Sequence, residues 1–143
     1  MIKVLVVDDH ARMRKSIRML LERSGEITVV GEAEEGKQAL LKIGQLQPDL
    51  VVLDISMPGM NGFDVLNALA SQEEAPLVIM LSMNDSSDLI LRALKNGAAD
   101  FVSKNEASLR LLPAIRRAAH GGGSGGGGSG NPLLGLVGWL ALP

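Results

Sequence analysis

Five polar side chains stand where short apolar runs stop. Asp8 and Asp9 follow Lys3 to Val7, Asp54 follows Leu50 to Leu53, Ser82 follows Leu77 to Leu81, and Lys104 follows Phe101 to Ser103. If the chain gathers them, three carboxylates repel one another unless a cation sits among them. Hard oxygen ligands with room for water suit Mg²⁺ better than a transition metal. The lysine adds a fixed positive charge able to pair with a carboxylate or with an oxygen of an anion, and the serine adds a hydroxyl donor. Such a set suits a small, highly charged anion. Each residue alone has an ordinary explanation, since acids after strands are often helix N-caps, serines there are turn residues and single lysines are solvated. The argument is therefore a joint one, and it depends on whether the fold brings the five to one place.

The elements that must position them alternate in type. Short β-branched runs read as strands at Lys3 to Val7, Thr28 to Glu32, Leu50 to Leu53, Leu77 to Leu81 and Phe101 to Ser103. Between them Met13, Ile17, Leu20 and Leu21 recur at helical spacing, as do Leu40, Ile43 and Leu46. Further helices are expected over Asp64 to Ala70, Ser87 to Lys95 and Ser108 to Ala119, with Gly25 and Gly97 at helix C-caps. Strand and helix alternation predicts an α/β fold, a parallel sheet covered by helices on both faces. Right-handed crossovers in a sheet wound both ways from the first strand place a ligand site at the carboxyl ends of the strands. All five polar residues fall at that edge.

Four separated motifs then carry a resemblance. VLVVDDH (Val4 to His10), VVLDISMPGMNG (Val51 to Gly62), MLS (Met80 to Ser82) and FVSK (Phe101 to Lys104) resemble, in order and spacing, the receiver domains of two-component response regulators. The wording VVGEAEEG (Val29 to Gly36) is similar to receivers of the NarL type. The resemblance covers residues 1–120. It implies a flavodoxin-like doubly wound sheet of five strands in the order 2-1-3-4-5 with five helices. It also implies that Asp54 is the phosphoryl acceptor, served by a histidine kinase, in a switch that catalyses only its own phosphoryl transfer and dephosphorylation. Asp9 and Asp54 would bind Mg²⁺ directly, Asp8 through water, and the carbonyl of Ser56 would complete the protein ligands. Lys104 would hold a phosphoryl oxygen, Ser82 would follow the phosphoryl group, and Phe101 would turn inward on activation. A homodimer through the fourth and fifth helices, linked to phosphorylation, is a further implication.

Several residues depart from the family pattern or need a second reading. Asn105 stands where many receivers have proline in a cis bond, so the bond after Lys104 is expected to be trans. Met83 is bulkier than the small residue usual after the switch serine and is expected to slow small phosphoryl donors. His10 beside the acidic pair reads as an exposed helix-start residue, because Mg²⁺ prefers oxygen. Pro58, Gly59 and Gly62 are expected to shape the loop after Asp54.

The rest of the chain bounds the function. Of 143 residues, 14 are basic and 16 acidic, which leaves no positive field to gather nucleic acid or anionic lipid. Cysteine is absent, which excludes disulfides and thiolate metal sites and agrees with a cytoplasmic location. The N-terminus does not read as a signal peptide, and no run reaches the roughly 20 apolar residues of a membrane span. An enzyme acting on a separate metabolite is not expected, for want of a further base or nucleophile at this edge. A binding module that works without phosphorylation is the alternative. Gly121 to Gly130 reads GGGSGGGGSG, the composition of an engineered flexible linker. Asn131 to Pro143, NPLLGLVGWLALP, is uncharged and holds the only tryptophan. It reads as an appended apolar peptide, a fragment of a partner protein tethered to the receiver's fourth and fifth helices.

Overall fold

The structure, a computed structural model, describes residues 1–122. The linker beyond Gly122 and the apolar peptide lie outside the described residues. Five strands, β1 (Ile2–Val7), β2 (Ile27–Ala33), β3 (Leu50–Asp54), β4 (Leu77–Ser82) and β5 (Asp100–Ser103), alternate with five helices. The helices are α1 (Ala11–Arg23), α2 (Gly36–Leu46), α3 (Gly62–Leu69), α4 (Ser87–Lys95) and α5 (Ala107–Arg116). All strand pairs are parallel and the order is β2-β1-β3-β4-β5, the doubly wound topology expected from the resemblance.

The strands are nearly continuous runs of Val, Leu and Ile because both faces are covered, and their alternation sorts side chains into two cores. Leu5, Val7, Val51, Leu53, Val78, Met80 and Phe101 pack with α2, α3 and α4. Val4, Val6, Leu50, Val52, Ile79, Leu81 and Val102 pack with α1 and α5 through Ile17, Leu21, Leu111 and Ile115. Register then aligns the carboxyl ends: Val7 pairs Leu53, Asp54 pairs Leu81, and Ser82 pairs Ser103. Adjacent strands stand about 4.8 Å apart, so residues one step beyond paired positions are neighbours in space.

Helix ends follow local chemistry. Gly25 and Gly97 sit just past α1 and α4 at φ of 73° and 106°, the left-handed conformation that closes a helix at lowest cost to glycine. Helix α2 ends instead on Gln47 at φ 48°, immediately before Pro48, which cannot continue a helix. At α3 the Asn61 side chain accepts from the Asp64 amide at 3.0 Å while the Asp64 carboxylate accepts from the Asn61 amide at 2.9 Å, a reciprocal cap that moves the helix start to Gly62. The final helix differs more from expectation. Its regular part stops at Arg116, and a wider π-type turn carries Arg117–Gly122. Glycines at 121 and 122 carry no Cβ to resist that turn.

Candidate functional site

Strand alternation decides which of the polar residues meet. Asp8, Asp54 and Lys104 each come two positions after a valine of the same face, Val6, Val52 and Val102. They converge over adjacent strand ends. Lys104 Nζ lies 2.8 Å from Asp8 Oδ2 and 3.0 Å from Asp54 Oδ2, with the lysine side chain 8% exposed and the carboxylates 0% and 2%. Charges removed this far from water are tolerated only when paired, and here one ammonium serves two acids. The net deficit of positive charge remains.

That deficit shows in the Asp54 carboxyl. Burial first, and the negative charge of Asp8 next, push the Asp54 carboxyl up to about 6 against the pull of Lys104 and the Ser56 amide. For Lys104, burial works against the ammonium, and the two carboxylates outweigh it and raise its pKa. The loop after β3 holds Asp54 in place. The Ser56 amide donates to Asp54 Oδ1 at 3.2 Å, and the Gly62 amide donates to the Ile55 carbonyl at 2.9 Å. Gly62 is needed there: a Cβ would stand 2.5 Å from the Asp54 carbonyl oxygen and 2.8 Å from Ile55 Cα. Gly59, at φ 72°, supplies the left-handed turn within the same loop.

Asp9 completes the acidic cluster. Asp8, Asp9, His10 and Asp54 each offer a ligand atom within 4.8 Å of the others. Asp8 Oδ2, Asp9 Oδ1 and Asp54 Oδ2 are buried oxygens that accept no hydrogen bond of good geometry; the first and last face Lys104 as ion pairs. Buried carboxylate oxygens held this way fit a hard divalent cation, which would satisfy them and offset the charge.

The other expected residues take different positions. Ser82 is buried at the end of β4, and its hydroxyl accepts from the Asn84 amide at 3.0 Å. Met83, next to it, is 65% exposed. Phe101 is inward, buried in the core with Ile90, Ala93 and Leu94 of α4. Every described peptide bond is trans, including the one before Asn105, and Lys104–Glu106 forms a short 3₁₀ turn that leads into α5. His10 takes the N-cap position of α1 without a side-chain capping bond and is 73% exposed, but its Nδ1 also stands 3.1 Å from Asp9 Oδ1 and 3.4 Å from Asp8 Oδ1. The residues that sequence reasoning missed act on backbone. Arg14 Nη1 donates to the Asp8 carbonyl at 2.6 Å while its Nε meets Glu32 Oε1 at 3.1 Å, tying the β1 end to β2. Its signal was an arginine four residues past His10, on the first turn of α1. At Gly36 a Cβ would stand 2.5 Å from the Met60 carbonyl oxygen, so α2 closes on the loop after β3 only with glycine there. No local pattern distinguishes that glycine.

A family model of the response regulator receiver domain matches residues 4–116. The chain belongs to that family. This receiver is 36% identical over 118 residues to the nitrate/nitrite response regulator protein NarL of Escherichia coli K12, a match covering 82% of this chain and 55% of NarL. It is 45% identical over 117 residues to a protein-glutamate methylesterase/protein-glutamine glutaminase of Symbiobacterium thermophilum, covering 81% of this chain and 32% of that protein. The receiver thus spans from about a third to about half of the length of these curated relatives. Among solved structures it is similar to the signal receiver domain of the response regulator NarL from Mycobacterium tuberculosis, with a TM-score of 0.79, 37% identity, and coverage of 84% of this chain and 97% of that one. The response regulator domain of Thermotoga maritima CheB gives a TM-score of 0.75 and 34% identity, over 82% of this chain and 95% of that one. Among the described residues no helix of the receiver is long and apolar enough to cross a membrane.

Proposed function

We propose that residues 1–120 form a cytoplasmic signalling switch in which Asp54 accepts a phosphoryl group from a histidine kinase. The observation that carries this reading is the position of Lys104 between two buried carboxylates, 2.8 Å from Asp8 and 3.0 Å from Asp54. An ammonium so placed is ready to leave a carboxylate for a phosphoryl oxygen on the same side.

In the transfer, one Asp54 oxygen attacks phosphorus in line with the leaving group. The bond from phosphorus to the kinase imidazole nitrogen breaks, its electron pair stays on that nitrogen, and an acyl phosphate forms on Asp54. Lys104 neutralises charge on the equatorial oxygens. Asp9, Asp54 and the Ser56 carbonyl would hold Mg²⁺ directly and Asp8 through water. When bound, that ion neutralises phosphoryl charge and aligns the oxygens. Ser82 is the hydroxyl that follows the phosphoryl group, and Phe101, packed against α4, is the side chain that registers the change. The switched surface would serve an output partner or a second copy of the chain. For the apolar segment 131–143 the proposed role is a tethered partner fragment; failure of the freed peptide to bind residues 1–120 in trans would count against it.

Intact mass after incubation with Mg²⁺ and acetyl phosphate tests the core of the proposal. A gain of one phosphoryl group, absent in Asp54→Ala, is the expected outcome. No gain, with the segment after residue 120 also removed, would point to a binding module that works without phosphorylation.

A further inference from the structure

We infer that Arg14 is a positioning residue for the site: by holding the Asp8 carbonyl it sets the direction of the Asp9 carboxylate, and with it the affinity for Mg²⁺. The inference rests on the proposed function and deepens it, naming a residue outside the acidic cluster on which metal binding depends.

Asp9 has little of its own to hold it. Its side chain is 25% exposed, its Oδ1 accepts no hydrogen bond of good geometry, and the ring 3.1 Å from it, that of His10, is itself 73% exposed. Its direction is therefore set by the main chain, through the peptide unit that joins Asp8 to Asp9. The ladder between β1 and β2 ends at Val7 opposite Ala33, where the Asp8 amide donates to the Ala33 carbonyl at 3.0 Å. Strand β2 stops there, and it is Arg14 Nη1, not a strand amide, that donates to the Asp8 carbonyl at 2.6 Å. That carbonyl and the Asp9 amide lie in one rigid plane, so fixing the first fixes the second. The guanidinium is itself held. Its side chain is 15% exposed, its Nε meets Glu32 Oε1 at 3.1 Å, and Arg18 Nη1 takes Glu32 Oε2 at 2.8 Å. Arg18 first, with Arg14 adding to it, keeps the Glu32 carboxyl below its usual range against the effect of burial. A planar fork serves a carbonyl and a carboxylate at once, which an ammonium on a flexible stem does in no fixed geometry.

Charge and geometry make opposite predictions for the loss of Arg14. A cation beside the site repels Mg²⁺, so its removal would, by charge alone, tighten Mg²⁺ binding. Removing the hold on the Asp8–Asp9 peptide frees Asp9 and weakens binding, and outer partners of this kind are worth about tenfold or more in metal affinity. The sign of the change separates the two.

Calorimetric titration of the full chain with MgCl₂ tests this, alongside Arg14→Met, Arg14→Lys and Arg18→Met, with the folding of each checked by urea denaturation in EDTA. Arg14→Met is expected to weaken Mg²⁺ binding about tenfold, and to raise in proportion the Mg²⁺ needed for half-maximal labelling by acetyl phosphate. The labelling rate at saturating Mg²⁺ should stay within about twofold, because the bound ion then draws Asp9 into place. Arg14→Lys keeps the charge, loses the fork and is expected to weaken binding several-fold; it carries the test if Arg14→Met does not fold. Arg18→Met removes an equal charge from Glu32 without touching the Asp8 carbonyl, and should bind Mg²⁺ at least as tightly as the parent. In EDTA the Asp9 amide resonance should move in Arg14→Met and keep its place in Arg18→Met. Mg²⁺ binding as tight as the parent's, or tighter, in either Arg14 variant would overturn the inference, and so would an equal loss in Arg18→Met. Mg²⁺ binding by the parent without labelling would overturn the proposed function alone, since the affinities still read the role of Arg14. A parent that binds no Mg²⁺ would overturn both.

Discussion

Lys104 Nζ, from the turn after β5, lies 3.0 Å from Asp54 Oδ2 at the end of β3, across the intervening strand β4. A side chain long enough to cross a whole strand is what allows the ammonium to reach Asp54, and the same ammonium lies 2.8 Å from Asp8. Its removal leaves two buried acids without a counter-ion.

Lys104→Met is therefore expected to lower the stability of the metal-free protein by on the order of 3 kcal/mol at neutral pH, the scale for stripping one partner from a buried ion pair. Added Mg²⁺ should recover part of the loss, because it supplies charge to the same oxygens. Urea denaturation with EDTA and with excess Mg²⁺ measures both. Phosphorylation by acetyl phosphate should fall sharply in the same variant.

The raised Asp54 carboxyl sets a pH dependence. Its folded pKa of about 6 lies above the ordinary value near 3.9, so the folded state binds the proton more tightly than the unfolded one. The stabilisation is fully present below about pH 4 and is lost as pH rises through about 6. In EDTA, Asp54→Asn has no such proton to lose, so its advantage over the parent should grow between about pH 5 and about pH 7.5. Thermal melts of the two proteins across that range provide the check; parallel curves would contradict the assignment.

Glycine substitutions separate close approach from simple flexibility. Gly62→Ala puts a methyl group 2.5 Å from the Asp54 carbonyl oxygen, a backbone atom that cannot swing aside. A cost of about 1–3 kcal/mol is expected, with slower phosphorylation as the acceptor loop shifts. Gly44→Ala, on the exposed side of α2 with nothing within 4 Å of the new Cβ, should stabilise by about 0.5–1 kcal/mol. Denaturant midpoints of the pair decide it, and a loss at both positions would mean that the tight packing around Gly62 is not the cause.

Met83 follows Ser82 just past β4 and is 65% exposed. Shortening it in Met83→Ala should open the approach to Asp54 and speed labelling by acetyl phosphate several-fold. Denaturant stability should barely change, since little of the side chain is buried. Labelling no faster than in the parent would refute a screening role.

Much of this molecule was legible before any coordinates. The alternation of Val and Leu runs with helical spacing located all five strands within a residue or two, because a strand buried on both faces must be apolar throughout. Gly25 and Gly97 marked helix ends because left-handed φ is a local demand on residue type. The reciprocal Asn61 and Asp64 cap lies three residues apart, and its omission placed α3 two residues late.

The set of polar residues at the carboxyl edge could be read from the chain alone, since strand ends and residue types are properties of short segments. Which of them touch depends on how the strands and helices pack. Asp8, Asp54 and Lys104 share one side of the sheet, while Ser82 follows Met80 of the other core and bonds to its own loop at Asn84. That packing also decides that Gly36 admits the Met60 carbonyl and that His10 turns its ring to Asp9. The physical reason is range: propensity, capping and alternation act over a few residues, but a contact between positions 8, 54 and 104 depends on strand order and register, set by the packing of the two cores together.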